Sequence, residues 1–218
     1  MGHKHIEHFN PDVMLLEQAH QDFSTQLNKF NAGKENLTFT DFISKDAEEY
    51  RDDGNGASYV VWNVYFDEDG EESYREVVAY YTLAATAIPY EDRIRLDGED
   101  LIEGGPLYDS QICGIPALEI KMFALDEKYQ DLFYEYEGED LPISAWIMRN
   151  IISYANYLMH NIIGFKAIFL HSVPEAEEFY KSNGFNPIEI YMQPLQCIDS
   201  EFTAMYLTLR EVHINYEK

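Results

Sequence analysis

The sequence predicts an α/β protein of the α+β kind, with a mixed central sheet of about seven strands flanked by about four helices. Three observations predict it. The first fifty residues carry apolar side chains at three- and four-residue steps. Residues 57–88 read as two aromatic, β-branched runs around an acidic turn, and residues 115–171 read as strand, long helix, strand. A strand–helix–strand unit closes as a right-handed crossover with parallel strands, and the hairpin before it makes the sheet mixed.

At the start, "GHKHIEH" holds His3, His5 and His8 and reads over residues 1–8 as a tag remnant or a short edge strand; the sequence contains no zinc motif, so no metal is expected. A helix is expected from Asn10, a capping residue followed by Pro11 in the first turn and Asp12 at the positive end of the dipole. Val13, Leu16, His20, Phe23, Leu27 and Phe30 form its apolar stripe. After "NAGKEN", a shorter helix with Phe42, Ile43, Ala47 and Tyr50 on its inner side stops at "RDDGNG", completing an N-terminal helical pair over residues 10–52.

"ASYVVWNVYF", "DEDGEE" and "SYREVVAYYTLAATAI" then predict a β-hairpin, and "PYEDRIRLDGEDLIEGGPLYDSQ" a long acidic connection. "IPALEIKMFAL" is the next strand, "ISAWIMRNIISYANYLMHN" a long helix and "FKAIFLHS" a strand. "PEAEEFYKSNGF" is a short helix ending at Asn183-Gly184, a left-handed cap. Strands around "IEIYMQPL" and "TAMYLTLR" close the chain.

A chain of 218 residues, 46% hydrophobic, is expected to form one domain over residues 1–218, with two small ones the alternative. No apolar run reaches the roughly 18 residues of a membrane span. Cys113 and Cys197 lie far apart without metal-ligand spacing, so a cytoplasmic protein with reduced thiols is expected. The formal net charge is −25, from 15 Lys and Arg against 40 Asp and Glu. Phosphate binding needs clustered cations, so a nucleic-acid or anionic-membrane partner is not expected. The charge suits either a cationic partner, an amine or a basic peptide, or a merely solvated surface.

The segment "AEEFYKSNGF" resembles the A-x-x-x-Y-x-x-x-G-F segment of the GNAT superfamily of acyl-CoA-dependent N-acyltransferases, through Ala176, Tyr180, Gly184 and Phe185. "LEIKMFALDEKYQ" is similar to that family's fourth strand and the start of its pyrophosphate loop, and "VVAYYTLAATAI" to the third strand of toxin-like members. The resemblance implies a GNAT-like fold with acetyl-CoA as cosubstrate. It implies main-chain groups of Phe123, Ala124 and Leu125 on the pantetheine arm, and a pyrophosphate site involving Gln130, Gly138 and Ser144. The family's loop reads Q/R-x-x-G-x-G/A; here several residues separate Gln130 from Gly138, and Val173 stands where an Asn is frequent. Asp131, Glu135, Glu137, Glu139 and Asp140 add the wrong sign of charge. One carboxylate ~6 Å from a phosphate at an effective dielectric of ~20 would cost roughly 2–3 kcal/mol, and far less if turned to solvent. Lys128, Arg149 and Lys181 are available to compensate.

By the same resemblance Tyr180 is the general acid for the departing thiolate; otherwise it is a core aromatic of an amphipathic helix. Glu119 matches the general base of histone-type members, or is a paired structural carboxylate. His171, ending its strand, reads as a proton relay or as a satisfied strand-end residue. No Cys-His constellation supports Cys113 as a nucleophile. The expected activity is direct acetyl transfer from acetyl-CoA to a primary, cationic amine. The alternative is a catalytically degenerate acidic protein of the same fold that engages a basic protein. Toxin-like relatives point to aminoacyl-tRNA as acceptor, against which the net charge speaks.

Overall fold

A computed structural model describes residues 3–95, 108–136, 138–188 and 202–209. In chain order the elements are β1 (Lys4–His5), β2 (Pro11–Leu15), α1 (Leu16–Leu27), α2 (Leu37–Asp41), α3 (Ala47–Asp52), β3 (Ala57–Phe66), β4 (Glu72–Arg95) and β5 (Tyr108–Leu125). They continue with β6 (Leu132–Tyr136), β7 (Glu139–Pro142), α4 (Ile143–Asn161), β8 (Ala167–Ser172), α5 (Glu177–Ser182), β9 (Asn186–Pro187) and β10 (Thr203–Thr208). A π-helical turn, Phe42–Asp46, joins α2 to α3, and a 3₁₀ turn, Pro174–Ala176, leads into α5. The main sheet has seven strands in the order β2-β3-β4-β5-β8-β10-β9; a second has the order β1-β6-β7.

The chain divides into two compact units, which share β4, β5 and α4 along their lengths. The first unit holds Met1–Ala84 and Ile120–Tyr154. Its core lies between the sheet and α1–α3, where Leu16, Ala19, Leu27, Phe42, Ile43 and Ala47 meet Val60, Trp62, Val64, Val77 and Tyr80. Residues Val60–Val64 are buried on both pleat faces, as a run without polar alternation requires. α4 turns Ile147, Met148 and Ile151 fully inward, and Tyr59 meets its Tyr154 edge-on. Arg75 is buried, bonded to Glu72, 3.2 Å from Asp12, and stacked over the rings of Phe23 at 4.1 Å and Trp62 at 5.6 Å.

The second unit holds Ala85–Glu119 and Ala155–Lys218. Two contacts set the sense of its neighbouring strands. Lys166 N–H donates to Pro116 O at 2.8 Å, and further along both strands His171 meets Glu119, so β5 and β8 run parallel. β10 lies antiparallel to β8, with Ala204 opposite His171 and Tyr206 opposite Phe169. α5 ends as expected: Gly184 has φ +91°, and Phe185 N–H bonds back to Tyr180 O at 3.1 Å. A Cβ at Gly184 would stand 3.4 Å from Leu207 Cδ1. Gly184→Ala is therefore expected to cost about 1–2 kcal/mol, read as a lowered midpoint in urea unfolding.

Three local expectations are corrected. Residues Pro11–Leu15 are a strand, not the first turn of a helix. They pair with β3, whose edge they cover; Asn10 N–H donates to Asn63 Oδ1 at 2.8 Å, and its side-chain amide to Val64 O. Pro11 opens an edge strand, where its missing N–H costs nothing, and long-range pairing outweighs the local helix signals. The helix starts instead at Leu16 without a side-chain cap. Part of the long acidic connection is strand, because β4 continues to Arg95 and β5 begins at Tyr108; residues 96–107 lie outside the described residues. Between Leu132 and Pro142, finally, there is a hairpin in place of a loop. The strand expected around "IEIYMQPL" falls mostly on residues 189–195, also outside them. Among the described residues no helix is long and apolar enough to cross a membrane.

Candidate active site

In the first unit, Phe123, Ala124 and Leu125 form the C-terminal end of β5. Asp126 closes it: its buried carboxylate accepts from Asn31 N–H at 2.9 Å and Lys128 N–H at 3.1 Å, while its own N–H bonds Val78 O. Val78 is the extra residue of a β-bulge, between the pairs Val61–Ala79 and Trp62–Val77. Gln130 then turns its side-chain amide inward, donating to Ala32 O at 3.1 Å and Leu125 O at 3.3 Å. That amide braces the strand end, so its donors are already committed. β6 and β7 follow as a hairpin with Glu135 opposite Asp140 and Tyr136 opposite Glu139. Gly138, at φ +82°, serves its turn and has no atom within 4 Å of where a Cβ would stand. Ser144 is the second residue of α4, where main-chain N–H groups lack intrahelical acceptors.

Of the acids in this segment, Asp140 stands 3.6 Å from His5 Nε2, and Glu135 and Glu139 are exposed. The hairpin lets these carboxylates face solvent and β1 while Pro142 leads directly into the helix. Lys128 is engaged by Glu76 at 3.3 Å, and Lys181 by Glu178 at 2.8 Å and Glu177 at 3.3 Å, leaving Arg149, exposed on α4, as the cation of the expected three without a described ion pair. Among the described residues no group of three or more His, Cys, Asp or Glu could hold a metal ion.

The second unit carries the candidate acid and base. Tyr180 is buried, packs edge-on against Phe185, and has its phenol pushed up to about 12 by burial. α5 lies over the face of β10 that bears Thr203, Met205 and Leu207, for Glu177 bonds Thr203 Oγ1 at one end and Gly184 abuts Leu207 at the other. The opposite face bears Phe169, His171, Ala204 and Tyr206, and Glu119 joins His171 there, Oε1 standing 3.7 Å from Nδ1. Tyr180 and Glu119 therefore address the sheet from opposite faces. Sequence reasoning named both residues and missed the pairing of Glu119 with His171, which are distant in sequence and meet only because their strands are neighbours. Cys113 is free, and Val173 is exposed just before the 3₁₀ turn.

No protein-family model matches the sequence, and no curated protein matches it. Solved structures do. A tyrosine-to-phenylalanine mutant of the AtaT toxin matches over 96% of this chain and 97% of its own, with a TM-score of 0.58 at 16% identity. AtaT complexed with acetyl-methionyl-tRNAfMet matches over 94% and 98%, with a TM-score of 0.57 at 17% identity. AtaTR bound with AcCoA matches over 94% and 97%, with a TM-score of 0.53 at 19% identity. The chain has a GNAT-like fold. What the chains share at this identity is the fold itself. In this GNAT-like fold the strand expected to bear the pantetheine ligands, β5, lies beside β8 as the topology requires. The segment between Gln130 and α4, expected as a loop short of glycines, is the β6–β7 hairpin. The sequence held a signal for that hairpin: the strand formers Leu132, Phe133 and Tyr134, followed by Gly138 as a turn residue.

Proposed function

We propose that the chain is an N-acetyltransferase that passes the acetyl group of acetyl-CoA directly to a primary amine. One observation carries this reading: a phenol on one face of the sheet and a carboxylate on the other. Two groups on opposite faces can act on one reacting carbonyl only where the sheet opens between strands, and the β5–β8 junction is where this fold would admit a thioester. Phe123, Ala124 and Leu125 would hold the pantetheine arm through main-chain groups. Ser144, at the start of α4, would meet the pyrophosphate with orphan amides and the positive end of the dipole. Gln130 would brace Leu125, and Gly138 would keep the acidic hairpin folded back. Glu119, paired with His171, would serve the side on which the amine loses its proton, and Tyr180 would donate to the sulfur as the C–S bond breaks. Solved neighbours of this fold bound to AcCoA support the choice of cosubstrate.

The acceptor we favour is a small cationic amine or a basic peptide, drawn by a net charge of −25. A second reading, an aminoacyl-tRNA α-amine, is favoured by the neighbour complexed with acetyl-methionyl-tRNAfMet. Labelled acetyl-CoA offered with spermidine, a lysine-rich peptide or aminoacyl-tRNA separates them. Label on spermidine or the peptide is the expected result, weakening as salt rises. Label on tRNA alone would move the acceptor to the second reading. Acetyl-CoA at a hundred times its Kd should stabilise the fold by about 2.7 kcal/mol in thermal unfolding. No shift at millimolar acetyl-CoA would overturn the enzymatic reading in favour of an acidic binding protein.

A further inference from the structure

We propose that His171, held by Glu119, is the base that takes the proton from the acceptor amine, acting through Nε2; this rests on the acetyltransferase reading above. The imidazole presents Nδ1 to the Glu119 carboxylate at 3.7 Å, and its Nε2 is buried with no hydrogen-bond partner among the described residues. A buried polar atom left unbonded is costly, and an imidazole nitrogen in that state is a strong acceptor for any N–H brought to it. The carboxylate favours the proton on Nδ1, which leaves the lone pair on Nε2. Glu119 is thereby a positioning and charge-balancing residue, in the role the carboxylate plays beside a catalytic histidine in acyl transfer.

The surroundings suit an ammonium. On the same face stand Phe169, edge-on to the imidazole at 4.8 Å, with Ala117, Ala204, Tyr90 and Tyr206. Titratable groups facing this side are Glu119 and the exposed Lys121 on β5, Tyr206 on β10, and Tyr90 on β4 with Cys113 and Asp92 beside it; Glu177 on α5 belongs to the other face. Lys121 is the one cation among these described groups and is exposed, whereas the aromatic rings beside the buried Glu119 carboxylate attract a positive charge. One proton of the ammonium passes to Nε2 and on to solvent, and the freed amine attacks the thioester carbon. The C–N bond forms, the C–S bond breaks with its electron pair on sulfur, and the second proton lost from nitrogen ends on that sulfur.

The test is the pH dependence of kcat/KM for spermidine in wild type, His171→Asn and Glu119→Gln, with acetyl-CoA binding followed by thermal shift. At pH 7 His171→Asn should lose about 100-fold in kcat/KM, with acetyl-CoA binding unchanged. The deficit should shrink toward pH 10, where the amine sheds its own proton. Glu119→Gln should show a smaller loss of the same pH form. Should His171→Asn fail to fold, nitrogen-15 NMR of wild-type histidines decides: protonated Nδ1 with bare Nε2 is expected, and the reverse tautomer overturns the proposal. An active wild type with His171→Asn matching its rate and profile overturns this inference alone. A wild type that acetylates no amine removes the acetyltransferase reading and the inference with it.

Discussion

Replacing Tyr180 by phenylalanine is expected to slow acetyl transfer about 10- to 100-fold, with acetyl-CoA affinity and folding little changed. Burial pushes the phenol up to about 12, so it stays protonated across any practical assay range. A thiol has a pKa near 8.5, so full proton transfer from this phenol to a thiolate is uphill by roughly 3–4 units, about 5 kcal/mol. A hydrogen bond donated to the nascent thiolate carries no such penalty and is worth roughly 1.5–3 kcal/mol. Donation therefore wins over transfer, and the expected loss is that of one charge-assisted hydrogen bond. The measurement is free-thiol release at saturating amine; unchanged turnover would remove the role. The raised pKa also has a sign for stability. The native state favours the protonated phenol, so this contribution is complete below pH 10 and is lost as pH climbs from about 10 to 12. Tyr180→Phe should lack that part of the alkaline loss.

Arg75→Ala is expected to destabilise the protein by about 2–3 kcal/mol, a fall of roughly 5–10 °C in Tm for a chain of this length. Removing one member of a wholly buried ion pair costs about 3–5 kcal/mol, but Asp12 and Glu72 are each partly exposed and can recover water. What cannot be recovered is the guanidinium packed over Phe23 and Trp62. Arg75→Met, which keeps most of the packing, should lose about half as much. Glu72 adds a pH signature. The Arg75 hydrogen bond holds its carboxyl below the ordinary value, so its contribution is present above pH 4.5 and lost as pH falls through the depressed pKa. The gap between wild type and Arg75→Ala should narrow in acid. A variant as stable as wild type at pH 7 would show that the cluster contributes nothing net.

Elements with a strong period were legible in the sequence. Ala57–Phe66 could be read to the residue, because a run dominated by β-branched and aromatic side chains between a glycine and an acidic turn admits little else. The short helix with its cap at Gly184 could be read for a similar reason, since a positive φ after a helical turn selects glycine. Pro11–Leu15 and Leu132–Pro142 were misread because each is short. Their conformation is decided by a partner strand, by β3 in the first case and by mutual pairing in the second. In the candidate site, Tyr180, Glu119 and Ser144 were nameable from motif spacing. The use of the Gln130 amide as a brace was not, because its acceptors include Ala32, far away in the chain.

The sequence by itself determined the order of the long strands and helices, the net acidity of the chain and the residues able to give or take a proton. Periodicity, composition and side-chain chemistry are local properties and need no fold to be read. Only the tertiary structure decided that Glu119 and His171 meet, that α5 with Tyr180 covers the other face, and that the acids before α4 ride on a hairpin. Each depends on which strands become neighbours and which way a pleat turns a side chain, and those are settled by burial and pairing between segments far apart in the chain.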